Sequence, residues 1–366
     1  MRNSFLVRAV SSPFVRGILV AVFFAATARS DNQTRSNWTV NVSEGGLAPA
    51  PAMNDDQAEI AVVGSTVHVI WVADDPTPGG AYQTVIWYRR SLDNGKSWGP
   101  RVQLAAADRQ LQSEYSSSRR LAVDNQNVVH VAWATTPADD TWKGILQYRR
   151  SPDGGTTWDP VKTLYNTGAS AMWTHFVTAS TDGVKTTIGV SVYSDRSPAN
   201  YIMLFTTSDG GRTFSPTSVY GTNTTEGRSL LDIKRAGDRT YVLYTGVTSL
   251  YSGIAKDYVS VISDSGSVIG SYVVSVPAKD GNHHALIFQD YNYSPKLAVS
   301  GDNAYAVFTG LDANDVKRAF LRRFYNYGAS LDPAVMTSAD DPVSSNIEST
   351  DVSVAANDSY RAHNLR

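Results

Sequence analysis

Three copies of one turn-forming octapeptide, almost evenly spaced, constrain what this chain can fold into more than any other feature. Ser91-Leu-Asp-Asn-Gly-Lys-Ser-Trp98 returns as Ser151-Pro-Asp-Gly-Gly-Thr-Thr-Trp158 and as Thr207-Ser-Asp-Gly-Gly-Arg-Thr-Phe214, each time after a β-rich run. In the shared pattern S/T-x-D-x-G-x-T/S-W/F, the Asp carboxylate can accept bonds from its own turn's N–H groups. Gly can take a positive φ, and the closing aromatic can tuck under the next strand. Asp93, Asp153 and Asp209 are therefore read as structural caps of hairpin turns.

Weaker copies extend the pattern. Arg89-Arg90 and Arg149-Arg150 precede the first two boxes, and Arg322-Arg323 reappears before Asn326, which stands where the Asp belongs. Ser263-Asp264-Ser265-Gly266 reads as a degenerate fourth copy. The anchors at 93, 153, 209, 264 and 326 are separated by 60, 56, 55 and 62 residues. A strand-rich unit of that length, repeated, predicts an all-β fold: a six-bladed β-propeller of four-stranded antiparallel blades, its last blade imperfectly completed. Asp351-Val-Ser-Val-Ala-Ala-Asn-Asp358 resembles the start of the sixth unit. Residues 29–54 form an N-terminal segment in which Asn37–Val42 can supply an outer strand to that blade. The alternative is an open seam with unpaired edges.

These boxes resemble the Asp-box (BNR) repeats of the sialidase-like propellers, and the likeness runs over residues 55–366. The resemblance implies boxes on the face away from an active site, and a glycoside hydrolase acting on terminal sialic acid or a related acidic sugar.

Composition narrows the classes of partner and compartment. A net charge of −2 with no basic block argues against nucleic acid, and the absence of Cys excludes disulfides and thiolate metal sites. Arg2, Arg8 and Arg16, the short apolar run 17–26 and Ala26-Thr27-Ala28 read as a secretory signal peptide (1–28), cut after Ala28. The run is too short to span a bilayer. The protein is thus expected to be secreted, or periplasmic in a bacterium, and monomeric. Asn-x-Ser/Thr sequons at Asn32, Asn37, Asn41, Asn223, Asn292 and Asn357 matter only on a eukaryotic route.

Within each repeat, two apolar runs (A, B) precede a third (C) that enters the box, and a fourth (D) leaves it. Antiparallel order puts A-to-B and C-to-D turns on one face. The polar segments 73–83, 135–143, 193–200, 247–257 and 310–317, read as B-to-C loops, lie on the other with the starts of the inner A strands. Chemistry on a repeat scaffold belongs on such a rim.

The resemblance assigns roles there. Sialidases hold a sugar carboxylate with three arginines, protonate the leaving oxygen with an Asp, and attack with a Tyr activated by a Glu; the neutral phenol keeps a second carboxylate away from the substrate's own. Ser118-Arg119-Arg120-Leu121 supplies the clamp, Arg119 or Arg120, whose planar fork suits a carboxylate. Asp139 or Asp140 stands at the acid's position. Glu226, before Gly227-Arg228, and Tyr293, in Tyr293-Ser294-Pro295-Lys296, follow in family order. The family's second arginine would fall near Tyr244-Thr245-Gly246, where there is none, and the third has no counterpart; Lys256, Arg228 or Lys296 could substitute. Trp142 and Trp173 do not recur in the repeats and can stack on a sugar ring. The second reading is a non-catalytic propeller that binds glycans or proteins on the same rim. His68 and His130 recur in Val-His-Val and read as scaffold, His283-His284 as loop, and no metal site or cofactor is implied.

Overall fold

The computed structural model describes residues 19–20, 40–42, 55–76, 82–105, 109–111, 119–137, 144–166, 172–194, 201–219, 227–247, 255–277, 280, 296–301, 303–311, 317–325 and 330–336. Among them there is no helix, and the repeats become five antiparallel sheets of A-B-C-D order. Blade 1 is Asp55–Val63, Thr66–Pro76, Tyr82–Ser91 and Val102–Gln103. Blade 2 has a divided A strand, Arg109–Leu111 and Arg119–Val123, both paired with Val129–Pro137, then Ile145–Ser151 and Lys162–Asn166. Blade 3 is Met172–Asp182, Lys185–Ser194, Tyr201–Thr207 and Ser215–Val219. Blade 4 is Gly227–Ala236, Arg239–Val247, Ala255–Ser263 and Val268–Val273. Blade 5 is Lys296–Ser300, Asn303–Leu311 and Lys317–Tyr325, with an outer strand divided into Ser330–Leu331 and Val335–Met336. The fold is an all-β propeller of four-stranded antiparallel blades. The sixth unit expected around Asp351 lies outside the described residues. Leu19–Val20, within the expected leader, pairs with Val40–Asn41.

Apolar burial runs between blades. Ile70, Ile86, Tyr88 and Leu104 of blade 1 pack with Leu121, Val129, Val131 and Trp133 of blade 2 in one buried cluster, and the same arrangement joins blades 2 and 3, 3 and 4, and 4 and 5. Each fully buried side chain of this size contributes roughly 1.5–3 kcal/mol of transfer free energy, so each sheet's two faces are stable only against its neighbours.

The repeated turn builds the polar side of each joint. Ser91 Oγ donates to Asp93 Oδ1 (2.7 Å), the Ser97 N–H donates to the same oxygen (2.8 Å), and Ser97 Oγ donates to Oδ2 (2.6 Å). The second and third turns repeat the scheme with Ser151, Asp153 and Thr157, and with Thr207, Asp209 and Thr213. The first turn also touches its own A-to-B turn, the Asn94 N–H donating to the Ser65 carbonyl (2.8 Å), so both lie on one face.

The Arg-Arg pairs are inter-blade fasteners. The first Arg reaches back: Arg149 Nη1 donates to the Leu104 carbonyl (2.9 Å) and Arg322 Nη1 to that of Val273 (3.2 Å), both at the outer edge of the preceding blade. The second reaches forward: Arg90 donates to the Gly154 carbonyl and Arg150 Nη1 to that of Gly210 (2.6 Å), inside the next blade's turn. Tyr88 and Tyr148 lie under those turns, edge-on to Trp158 and Phe214 (4.8 and 4.9 Å). A Cβ on Gly155 would fall 1.8 Å from the Tyr88 hydroxyl and one on Gly211 1.9 Å from that of Tyr148, so only glycine fits there.

Two sequence expectations need correction. The fourth turn is not anchored by Asp264. Ser263 Oγ pairs with Ser265 Oγ (2.7 Å) and accepts from the Ser267 N–H (3.1 Å), while Asp264, one residue too early, turns to Arg235 (2.6 Å) and Lys185. That ion-paired cluster fastens blade 3 to blade 4, where Phe205-Thr206 replaces the Arg-Arg pair. The long B-to-C loops are also shorter than expected, because pairing continues outward: Asp74 opposes Thr84, Pro76 opposes Tyr82, and Lys256 and Asp257 lie in a strand.

Candidate functional site at the axis

The innermost strands carry charge at matching positions. Register through strands B and C aligns Glu59 of blade 1, Arg120 of blade 2 and Lys296 of blade 5: Ile60, Leu121 and Leu297 oppose Val69, Val131 and Ala306, which in turn oppose Arg89, Arg149 and Arg322. The sequence carries the same alignment as Glu59-Ile-Ala-Val, Arg120-Leu-Ala-Val and Lys296-Leu-Ala-Val. A charged residue at a fixed place in an apolar inner strand is the signal that identifies this level of the ring.

Neighbouring strands pair these charges. Arg120 is ion-paired with Glu59, both side chains being largely buried. On blade 4, Asp232 accepts the Leu297 N–H at Oδ2 (2.9 Å) and the Ile233 N–H at Oδ1 (2.9 Å), with Lys234 Nζ 3.5 Å from Oδ1. Register shifts in the A strands beside Glu59 and Asp232 mark β-bulges, which re-aim side chains from an otherwise regular strand. Burial, and next the positive charge of Arg120, push the Lys296 ammonium below its ordinary pKa, while the carboxylates of Asp232 and Glu59 oppose them. Two cations from blades 2 and 5 thus feel one another at the axis, each with a carboxylate from the adjacent blade. Such a group can receive an anion or a ring bearing donors and acceptors.

The sequence-predicted residues distribute as follows. Arg120 belongs to this cluster. Arg119, Trp173 and Arg228 stand at the starts of A strands in blades 2, 3 and 4, opposite Trp133, Tyr193 and Gly246, at the end of the ring where D-to-A connections arrive. Asp139, Asp140, Trp142, Glu226 and Tyr293 lie outside the described residues, as does His283-His284. Along the chain, Glu226 immediately precedes the blade 4 inner strand and Tyr293 is three residues before Lys296.

At the position that lacks an arginine, Thr245 Oγ1 donates to Asp257 Oδ1 (2.7 Å). Asp257 is fully enclosed, and burial raises its carboxyl to about 6 although the Thr245 bond opposes the shift. The Asp257 carbonyl accepts the Val274 N–H (2.8 Å), tying this carboxyl to the start of the connection that leads to Lys296. Sequence reading placed 247–257 in a loop and so missed it.

The box carboxylates differ. Bonds from the Ser97 side chain and backbone hold Asp93 at about 2; for Asp153, burial acts upward but is outweighed by bonds from Thr157, Ser151 and Thr156, and it too lies at about 2. His68 and His130 are enclosed on Tyr88 and Tyr148 (2.8 Å each), and burial followed by the Arg90 charge lowers His68 to about 4, leaving it neutral. Among the described residues no group of three or more His, Asp or Glu could hold a metal, and no helix is long and apolar enough to cross a membrane.

No protein-family model matches the chain, and no curated protein matches it. Among solved structures it is similar to the GH93 α-L-arabinofuranosidase of Fusarium graminearum with arabinobiose, at 14% identity over 79% of this chain and 82% of that one, TM-score 0.49. It is similar to the α-L-arabinanase of Penicillium chrysogenum complexed with arabinobiose (14% identity, 73% and 77% covered, TM-score 0.45). It is also similar to the Trypanosoma rangeli sialidase in complex with 2,3-difluorosialic acid (12% identity, 74% of this chain and 46% of that one, TM-score 0.41).

Proposed function

We propose that this propeller is a secreted glycoside hydrolase of sialidase-like type, acting at the axis on glycosides of an acidic sugar. The observation that carries the reading is the charged level of the inner strands, where Arg120 and Lys296 stand together with Glu59 and Asp232. Lys296 answers the absence of a second arginine: its cation comes from a different strand and meets the same carboxylate from the far side. Arg119 and Arg228 extend the positive lining, and Trp142 and Trp173 supply apolar faces for the ring.

Asp139 or Asp140 then protonates the leaving glycosidic oxygen. Tyr293, its phenolic proton taken by Glu226, attacks the anomeric carbon as that bond breaks. Water, giving one proton to the same Asp, attacks the anomeric carbon as the bond to Tyr293 breaks, and the departing phenolate takes its proton back from Glu226, which releases the sugar and restores the enzyme. The leader is removed after Ala28, and residues 55–366 form the working domain. The test is hydrolysis of a fluorogenic α-sialoside by the mature chain beside Tyr293→Phe and Asp140→Asn. Activity lost in Tyr293→Phe with the fold intact supports this reading; no activity in a folded wild-type chain removes it.

A second reading, a glycan-binding propeller without catalysis, is favoured by Thr245. Where a clamp arginine is expected, this side chain is committed to Asp257. Binding of sialylated glycans without turnover would support it.

A further inference from the structure

Asp232 stands at the same place in its blade as the charges around it. Glu59, Asp232 and Lys296 each lie four residues before the last paired residue of their A-to-B turn, Val63, Ala236 and Ser300, and oppose Ile70, Leu243 and Val307. Glu59 and Asp232 are each the first paired residue after a β-bulge. The next blade carries a cation at this level in both cases, Arg120 and Lys296.

The two carboxylates are used differently. Glu59 takes the Arg120 guanidinium itself. Asp232 takes backbone: Oδ2 accepts the N–H of Leu297, the residue after Lys296, and Oδ1 accepts the Ile233 N–H (2.9 Å each). Among its bonds to described residues, none ends on the Lys296 ammonium.

An inner strand is paired along one edge only, so N–H groups on its other edge need a partner from elsewhere. Where blade 3 meets blade 4, hydroxyls are enough: Ser191 Oγ accepts the Leu230 N–H (2.7 Å) and Ser180 Oγ the Arg235 N–H (3.0 Å). Where blade 4 meets blade 5 a carboxyl stands instead, and it adds what a hydroxyl lacks, a negative charge beside Lys296. Lys296 faces Arg120 from blade 2, Asp232 and Lys234 from blade 4, and Glu59 from blade 1. Burial and the two cations disfavour its charged form; of the two carboxylates that favour it, Asp232 acts more strongly.

We propose that Asp232 is a positioning residue of the axial site: from blade 4 it fixes the backbone at the start of the blade 5 inner strand and sets a negative charge beside Lys296, so that the Lys296 cation is available to an anionic ligand. This role rests on the axis being where an acidic sugar is recognised.

Asp232→Asn and Asp232→Ala separate the two contributions in the mature chain. Asn keeps an oxygen for the Leu297 N–H and loses the charge, whereas Ala loses both. The Leu297 amide should exchange with solvent at least about tenfold faster in Asp232→Ala and within about twofold of the wild-type rate in Asp232→Asn. With isotopically labelled lysine, the Lys296 resonance, identified by its loss in Lys296→Arg, should titrate about one pH unit lower in both variants. In Asp232→Asn the preference for N-acetylneuraminate over its methyl ester should fade at correspondingly lower pH with ester binding unchanged, whereas mere loosening of the fold would weaken both ligands. Unchanged Leu297 exchange in Asp232→Ala, or an unchanged Lys296 midpoint in a folded Asp232→Asn chain, would overturn the proposal. A wild-type chain without acid preference would instead remove the acidic-sugar reading; the exchange and the titration need no ligand and would still decide what Asp232 does.

Discussion

Carboxylates in two regions of this propeller meet opposite fates. In the repeated turns, Asp93 is half-buried and Asp153 exposed, yet both take donors from their own turn and are held at about 2. At the axis and on the opposite rim, Glu59 and Asp232 are committed to neighbouring blades and Asp257 is enclosed with a carboxyl raised to about 6. A carboxylate whose lone pairs are filled by fixed local donors cannot take part in proton transfer near neutral pH. One enclosed as Asp257 is, with its carboxyl raised to about 6 by burial, changes charge close to neutral pH. The boxes fasten the ring, and the carboxylates not locked by their own turn lie elsewhere on the blades.

The sharpest way to break the box side is to fill a glycine. Gly155→Ala puts a Cβ on the Tyr88 hydroxyl at φ +89° and should cost about 3 kcal/mol or more, whereas Gly64→Ala, at φ +59° with open space around it, should cost about 1 kcal/mol. Thermal or urea unfolding of the two variants measures the difference, and equal losses would deny that Tyr88 supports the turn.

At the rim, the sign of the pH dependence is informative. The Asp257 pKa is raised in the folded state, from 3.8 to about 6, so its protonated form favours folding. Its contribution is complete below about pH 4 and is lost as pH rises through about 6. Asp257→Asn should therefore stabilise the chain at pH 8, on the order of 2 kcal/mol, and flatten the melting-temperature profile between pH 4 and 6. A lower melting temperature at pH 8 would show that the ionised carboxylate is wanted there.

Glu59→Gln leaves Arg120 without its anion. Both groups keep some exposure, so the expected loss is about 1–2 kcal/mol, seen in chemical unfolding at low salt. The smallest effect belongs to the box carboxylates. Their pKa values are depressed, so their contribution is present above about pH 4 and is lost as pH falls through about 2. Asp153→Asn should match the wild type in melting temperature at pH 2 and fall slightly below it at pH 6.

How far the sequence spoke for the structure follows the same division. The boxes are local, so their donors and Gly requirement can be read from eight residues, and the strand order follows from them. The role of the Arg-Arg pairs was hidden because their acceptors are backbone carbonyls some 45 to 64 residues away. Glu59 was passed over as an ordinary strand residue, although its match to Arg120 and Lys296 was visible once repeats were aligned by their inner strands. Asp257 could not be found from pattern alone, since its burial depends on pairing that continues into a polar segment. Arg235 and Asp264 show the limit of repeat logic: a joint that has lost its fastener is rebuilt from residues with no repeat position.

The most direct test of the division is calorimetric titration of the mature chain with N-acetylneuraminate and with its methyl ester, beside Lys296→Met and Asp153→Asn. If the axis reads a carboxylate, the acid binds at least about tenfold more tightly than the ester. Lys296→Met should erase that preference, and Asp153→Asn should leave it intact. Equal binding of acid and ester, or an unchanged preference in a folded Lys296→Met chain, would contradict the assignment of the axis as the recognition site.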